Sequence, residues 1–240
     1  MKLCKLSVYR NKSAWLLLVA FCIIPTIWSN PITDSLNTDD YFNEIDNEPK
    51  FYPELSFDYG FDFESLNPYR YPVENLKDTF LLVISDTFHC GFEFPHPGKV
   101  NSTFGWRKGR VHSGIDLQLE WGDTVMAAFD GVVRVSKYNK GYGNYIIIRH
   151  FNGLETLYAH LKRRHVAHGD TVSAGDLIGL GGSTGRSTGA HLHFETRFLG
   201  RPIDPEIFID FDNRCLKSNV TQLHAGSFDI PRSQKSKRYF

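Results

Sequence analysis

The chain has 240 residues, enough for one sizeable domain or a smaller one with extensions. Lys and Arg total 27 and Asp and Glu total 27, so the formal charge is zero and the basic footprint of a nucleic-acid-binding chain is absent. The balance conceals two flanks of opposite sign: residues 31–80 hold twelve acidic against three basic residues, and residues 213–240 hold six basic against one acidic.

In chain order, the first element reads as a secretory signal over residues 1–29. Lys2, Lys5, Arg10 and Lys12 precede an apolar run from Ala14 to Trp28, and Ser29 is a small residue at a plausible cut. The run is short for a membrane span, so contact with a membrane is expected only if this segment stays uncleaved. Residues 30–85 form an acidic, aromatic-rich linker or pro-segment, such as Phe57-Asp58-Tyr59-Gly60-Phe61-Asp62-Phe63, with no sustained helical period. The composition predicts poor order there, apart from a strand at Phe80-Leu81-Leu82-Val83-Ile84. An alternative is an arm lying over the functional groove.

From Gly91 to about Phe208 the texture changes, within a domain expected to span residues 86–212. Short β-branched or aromatic runs alternate with Gly, Asn and Asp turns, as in Gly131-Val132-Val133-Arg134-Val135, Asn144 to His150 and Glu155 to Leu161. This spacing predicts an all-β domain, a compact antiparallel sheet or sandwich. Asn152-Gly153 between two such runs marks a hairpin. Residues 213–240 read as a basic, mobile tail. Cys90 and Cys215 bracket the domain and could pair in an exported chain. Asn101-Ser102-Thr103 and Asn219-Val220-Thr221 match short glycosylation sequons.

The chemistry concentrates in three alternating stretches. In His191-Leu192-His193-Phe194-Glu195, strand geometry would project the two imidazoles to one face and send Leu192 and Phe194 into a core. His112-Ser113-Gly114-Ile115-Asp116 sets an imidazole and a carboxylate four apart, again one strand face, and Tyr158-Ala159-His160 places Tyr158 beside His160. A catalytic zinc site takes three such ligands and keeps a position open. His112, Asp116 and one of His191 and His193 fill that set; the physics does not say which one, and the remaining histidines could serve as acid or base. His89, His96, His150, His165, His168 and His224 stand outside these motifs and take structural or surface roles. The glycine-rich run 179–189 lacks the Lys-Ser/Thr ending of a phosphate loop, so its glycines are expected to give tight turns and close backbone approach.

Phe104-Gly105-Trp106-Arg107, His112 to Asp116, Tyr158-Ala159-His160-Leu161 and Gly185 to Glu195, in that order, resemble the lysostaphin/LytM-type zinc metallopeptidases. The resemblance covers roughly residues 91–208. It implies one zinc per domain, held by His112, Asp116 and His193, with His160 and His191 as the catalytic histidines near the attacking water and the scissile carbonyl. It also implies peptidoglycan peptides as substrate, a monomer, and an exported location, in the periplasm or cell envelope or secreted. Ala190 departs from the pattern, where proline is common. Tyr158 is a possible contributor or a packing residue.

Two other readings compete. The same fold could act without catalysis, as a wall-binding or regulatory protein. Val172 to Gly179 and Ala127 to Val133 are similar to pieces of biotinyl and lipoyl carriers, but no carrier lysine stands at a hairpin tip and the motif histidines would have no purpose.

Overall fold

Runs of apolar residues at period two, broken by glycine turns, leave the chain no economical choice but strands. The structure, a computed structural model, describes residue 66 and residues 79–85, 91–107 and 109–230. The signal, most of the acidic segment, Cys90 and residues 231–240 lie outside the described residues; Cys215 is exposed. Among the described residues, no helix is long and apolar enough to cross a membrane.

The strands run in order β1 (Phe80–Val83), β2 (Val100–Ser102), β3 (Gly105–Arg107), β4 (Arg110–His112), β5 (Ile115–Gln118) and β6 (Thr124–Met126). Then come β7 (Gly131–Asn139), β8 (Gly143–His150), β9 (Leu154–Leu161), β10 (Arg163–Arg164), β11 (Thr171–Val172) and β12 (Leu177–Leu180). The last are β13 (His191–Phe198), β14 (Arg201–Ile203), β15 (Ile209–Asp210), β16 (Cys215–Leu216) and β17 (Val220–Leu223). The expected all-β class and antiparallel pairing are what the structure has.

One eight-stranded sheet carries the molecule, in order β11-β7-β8-β9-β13-β5-β2 with β14 on β13. A smaller sheet, β10-β12-β6, packs over one face. Ile146, Ile148, Tyr158, Leu192, Phe194, Ile115 and Leu117 of the large sheet meet Val125 and Ile178 of the small one in the main core. The opposite face is also covered: Val135, Tyr145, Ile147, Leu157 and Ala159 form a second cluster, against which Leu66 and Tyr142 pack. With both faces covered, β8 and β9 are buried along almost their whole length, and each carries apolar residues on both faces.

Ordered structure continues past residue 212, where the sequence suggested a mobile tail. β16 pairs with β15, and β17 pairs with β1 in register from Phe80↔Leu223 to Val83↔Val220. Charge dominated the sequence reading of this stretch, but its few apolar side chains decide its fate: Leu223 and Phe228 are buried, alongside Phe80 and Leu82.

Buried polar groups outside the motifs have structural partners. His150 bonds the Asp130 carbonyl oxygen at 2.9 Å and Thr156 Oγ1 at 2.8 Å. Burial pushes its pKa down to about 4. The unfolded chain takes up a proton near pH 6.5 while the folded chain resists until about pH 4. Stability is therefore complete above pH 6.5 and falls as the pH drops through that window, by on the order of 3 kcal/mol. Thermal melts of His150→Gln should show a shallower loss than wild type between pH 6.5 and 4.

Candidate metal centre

Three sequence motifs converge because β5 lies against β13 and β13 against β9. The register places His193 opposite Asp116 on one side and opposite Ala159 on the other. Gly114 makes the first pairing possible: a Cβ there would sit 2.3 Å from the Phe194 carbonyl oxygen. His112 ends β4 and turns back over Asp116.

The result is a triangle. His112 Nε2 and Asp116 Oδ1 are 3.0 Å apart, His112 Nε2 and His193 Nδ1 are 3.0 Å apart, and His193 Nδ1 and Asp116 Oδ1 are 3.0 Å apart. The far ring nitrogens are committed elsewhere. His112 Nδ1 donates to the Thr103 carbonyl oxygen at 2.8 Å, and His193 Nε2 donates to Glu195 Oε1 at 2.9 Å. Those bonds fix the tautomers and leave a lone pair on each nitrogen that faces the triangle. In that tautomer two lone pairs and a carboxylate oxygen converge, which is an environment for a proton or a metal cation. Corners 3.0 Å apart also share a common point about 2.0–2.1 Å from each, the bond length of a small divalent metal to N and O ligands. The three residues fit such an ion.

The electrostatics agree. Burial alone would raise the pKa of Asp116, but hydrogen bonds from His112 and His193 hold it well below the usual carboxylate range. Burial pushes His193 down, yet its bonds to Asp116 and Glu195 lift it to about 9. A proton and a metal ion would compete for that nitrogen.

His160 and His191 stand beside the triangle, with ring centroids 4.7 Å apart. His160 Nδ1 donates to the Thr184 carbonyl oxygen at 2.8 Å and His191 Nδ1 to that of Gly189 at 2.9 Å, so each leaves Nε2 as an acceptor. His191 Nε2 is 3.7 Å from Asp116 Oδ1. Burial lowers the His160 pKa to about 4, so it is neutral at physiological pH. All five motif residues line one hollow of about 360 Å³, with Tyr142 and Arg186 on its walls. A larger hollow of about 710 Å³, beside Lys99 and Arg214, contains none of them.

His160 reaches the hollow by breaking the strand rule. The pairing slips between Asn144↔Leu161 and Ile146↔Tyr158, so β9 has one extra residue there, and His160 adopts φ 61°. The bulge rotates His160 away from Tyr158, contrary to the shared face that alternation suggests. Tyr158 points into the core instead, fully buried against Phe194. Its hydroxyl accepts from the Ala128 N–H at 2.8 Å and bonds Thr156 Oγ1 at 2.9 Å. Tyr158→Phe strands that buried N–H and should cost about 1–3 kcal/mol of stability. Denaturant titration beside a rate measurement checks this: the midpoint should fall with turnover unchanged.

The glycine-rich run packs against the chain itself. Gly185 has φ 72°, and a Cβ on it would lie 2.2 Å from the Gly143 amide nitrogen. This close approach sets Thr184, and Thr184 sets the His160 ring.

Several site residues escaped the sequence reading. Glu195 is fully buried, and its Oε1 accepts from His193, from the Tyr142 hydroxyl at 2.8 Å and from the Ser113 hydroxyl, while Oε2 lies 3.2 Å from an Arg197 guanidinium nitrogen. Burial and the Glu195 charge push the Tyr142 pKa upward, so it stays a donor. Period two along β13 was the available signal, since His191, His193, Glu195 and Arg197 share a face. Arg107 bonds the Ser102 hydroxyl and approaches Asp116 Oδ2 at 3.4 Å. Tyr142 had no local signal, because its loop meets the site only through folding.

Residues 110–205 match Peptidase family M23. The chain is similar to the DD-carboxypeptidase/endopeptidase Mpg of Neisseria meningitidis serogroup B, at 47% identity over 113 residues, covering 45% of this chain and 26% of that protein. It is similar to the peptidoglycan DD-endopeptidase ShyC of Vibrio cholerae, at 49% identity over 86 residues, covering 36% of this chain and 20% of that one. The chain thus spans about a fifth to a quarter of the length of these curated relatives. Among solved structures, the catalytic domain of lysostaphin from Staphylococcus simulans is 32% identical, with 45% of this chain and 87% of that chain covered and a TM-score of 0.41.

Proposed function

We propose that this chain, whose residues 110–205 form a domain of Peptidase family M23, is an exported zinc endopeptidase that hydrolyses peptide bonds in bacterial peptidoglycan. The observation that carries the reading is the triangle of His112, Asp116 and His193, with two further imidazoles facing the same hollow.

His112, Asp116 and His193 would hold the ion, as their committed outer hydrogen bonds and mutual 3.0 Å spacing favour. Zinc supplies Lewis acidity there, lowering the pKa of a water towards 7 and polarising a carbonyl. His160 and His191 supply the proton chemistry. Each has Nδ1 bonded to a backbone carbonyl oxygen, which leaves Nε2 as the exchanging nitrogen, so one can take the proton that the attacking water loses. The other, once protonated, can donate to the developing oxyanion. Ser187 Oγ lies 3.2 Å from His191 Nδ1, but that nitrogen is committed to the Gly189 carbonyl oxygen and the hydroxyl donates to the same oxygen at 2.6 Å, so His191 does not activate it and direct attack by water suits the site better than a covalent intermediate. The names of the relatives, a DD-carboxypeptidase/endopeptidase and a DD-endopeptidase, support stem or cross-bridge peptides as substrate. An exported location follows from that substrate and from the basic-then-apolar N-terminus.

Purified peptidoglycan digested with wild type and with His112→Ala, analysed by mass spectrometry beside zinc content, tests this. Muropeptide release by wild type and its loss together with zinc in the variant are expected. Stoichiometric loss of zinc with unchanged hydrolysis would overturn it.

A further inference from the structure

The β3–β4 hairpin presents two large apolar side chains to solvent where the catalytic hollow opens. Trp106 is 43% exposed and Val111 40% exposed. They are register partners, so their side chains lie next to each other on one face of the ribbon. The other face carries the Gly105↔His112 and Arg107↔Arg110 pairs, and Arg107 there holds Asp116. Val111 also lines the hollow that contains the five motif residues. The apolar patch is thus continuous with the mouth of the cleft.

We propose that Trp106, braced by Val111, is a stacking platform for a sugar ring of the glycan strand from which the substrate peptide hangs. The inference rests on the peptidoglycan reading above and extends it to a second part of the substrate. A pyranose offers a flat face of C–H groups that suits the negative face of an indole. A patch of two apolar side chains is too small for a stable protein interface, which needs many more residues a side, but it matches one sugar. The other exposed tryptophan among the described residues, Trp121, has the Lys162 ammonium 5.6 Å over its ring, so one of its faces is taken.

The test compares wild type, Trp106→Ala, Trp106→Tyr and Phe151→Ala. Phe151 is 46% exposed, but it lies in the turn before β9, about 20 Å of strand from His160, and serves as a distant aromatic control. Each zinc-loaded protein is assayed on glycan-linked muropeptides and on the same cross-linked peptides freed of sugar. Trp106→Ala should raise KM about five- to tenfold on the glycan-linked substrate with kcat retained, and leave the free peptide unaffected. Trp106→Tyr should recover most of the loss, and Phe151→Ala should change neither. Equal loss on both substrates, or none, overturns the proposal. Binding of peptide-free glycan strands, followed by calorimetry, is read separately. Binding by wild type that Trp106→Ala weakens supports the platform even if no peptide is cut, an outcome that would sink the endopeptidase reading alone. Glycan binding that the variant leaves unaltered, or no binding by wild type, overturns it.

Discussion

Asp116→Ala should release zinc on dialysis and lower peptide hydrolysis by about a thousandfold or more, the loss of several kcal/mol of transition-state stabilisation. Asp116 is the one anionic corner of the triangle, and both ring nitrogens reach it at 3.0 Å. Without it, two neutral imidazoles are left to hold a dication, and Arg107 brings a positive charge to 3.4 Å from where the carboxylate stood. Metal analysis and kcat/KM measured on one preparation check the result; zinc retained at one per chain with hydrolysis lost would point to another set of ligands. Wild-type affinity should also depend on pH in a definite direction. His193, lifted to about 9 in the metal-free protein, must give up its proton to bind an ion. Each unit of acidification below that value should raise the zinc concentration needed by about tenfold, as long as one proton is displaced.

How far the sequence could be read follows from which interactions are local. Strand alternation is local, so the faces of Leu192 and Phe194 against His191 and His193 were visible, and both apolar side chains are buried. The convergence of His112, Asp116 and His193 was legible only as a pattern, since the β5–β13 pairing that brings them together joins residues some 80 positions apart. His160 shows the limit of the local rule. A non-glycine residue at φ 61° in a bulge has no signature in its own neighbourhood, and alternation alone assigns it the wrong face. The reason lies in contacts from elsewhere: the Tyr142 carbonyl oxygen accepts from the His160 N–H at 2.8 Å, and Thr184 takes the ring N–H. Holding such a conformation costs free energy that the surrounding bonds offset. The C-terminal stretch erred for the opposite reason. Its charge is conspicuous in composition, but four buried side chains, Phe80, Leu82, Leu223 and Phe228, outweigh solvated charges that fold at little cost.

Glu195→Gln separates the support of the metal from the metal ligands themselves. Burial raises the Glu195 pKa, but the His193 hydrogen bond and the Arg197 charge bring it down to about 2, so it is an anion at any working pH. The amide keeps the shape and loses the charge. His193 Nε2 then donates to a weaker acceptor, its ring is held less firmly, and zinc affinity should fall about ten- to a hundredfold. Arg197, buried at 3% exposure, loses its carboxylate and retains the Gly200 carbonyl oxygen at 2.9 Å. Breaking a buried pair on one side should cost about 3 kcal/mol of stability. The two variants therefore fail differently. Excess zinc should restore most of the activity of Glu195→Gln, because the three ligand atoms remain, while Asp116→Ala stays inactive at any zinc concentration. If excess zinc rescues neither, Glu195 does more than orient His193. If Glu195→Gln binds zinc and melts as wild type does, the buried chain from His193 through Glu195 to Arg197 is not what holds the centre in shape.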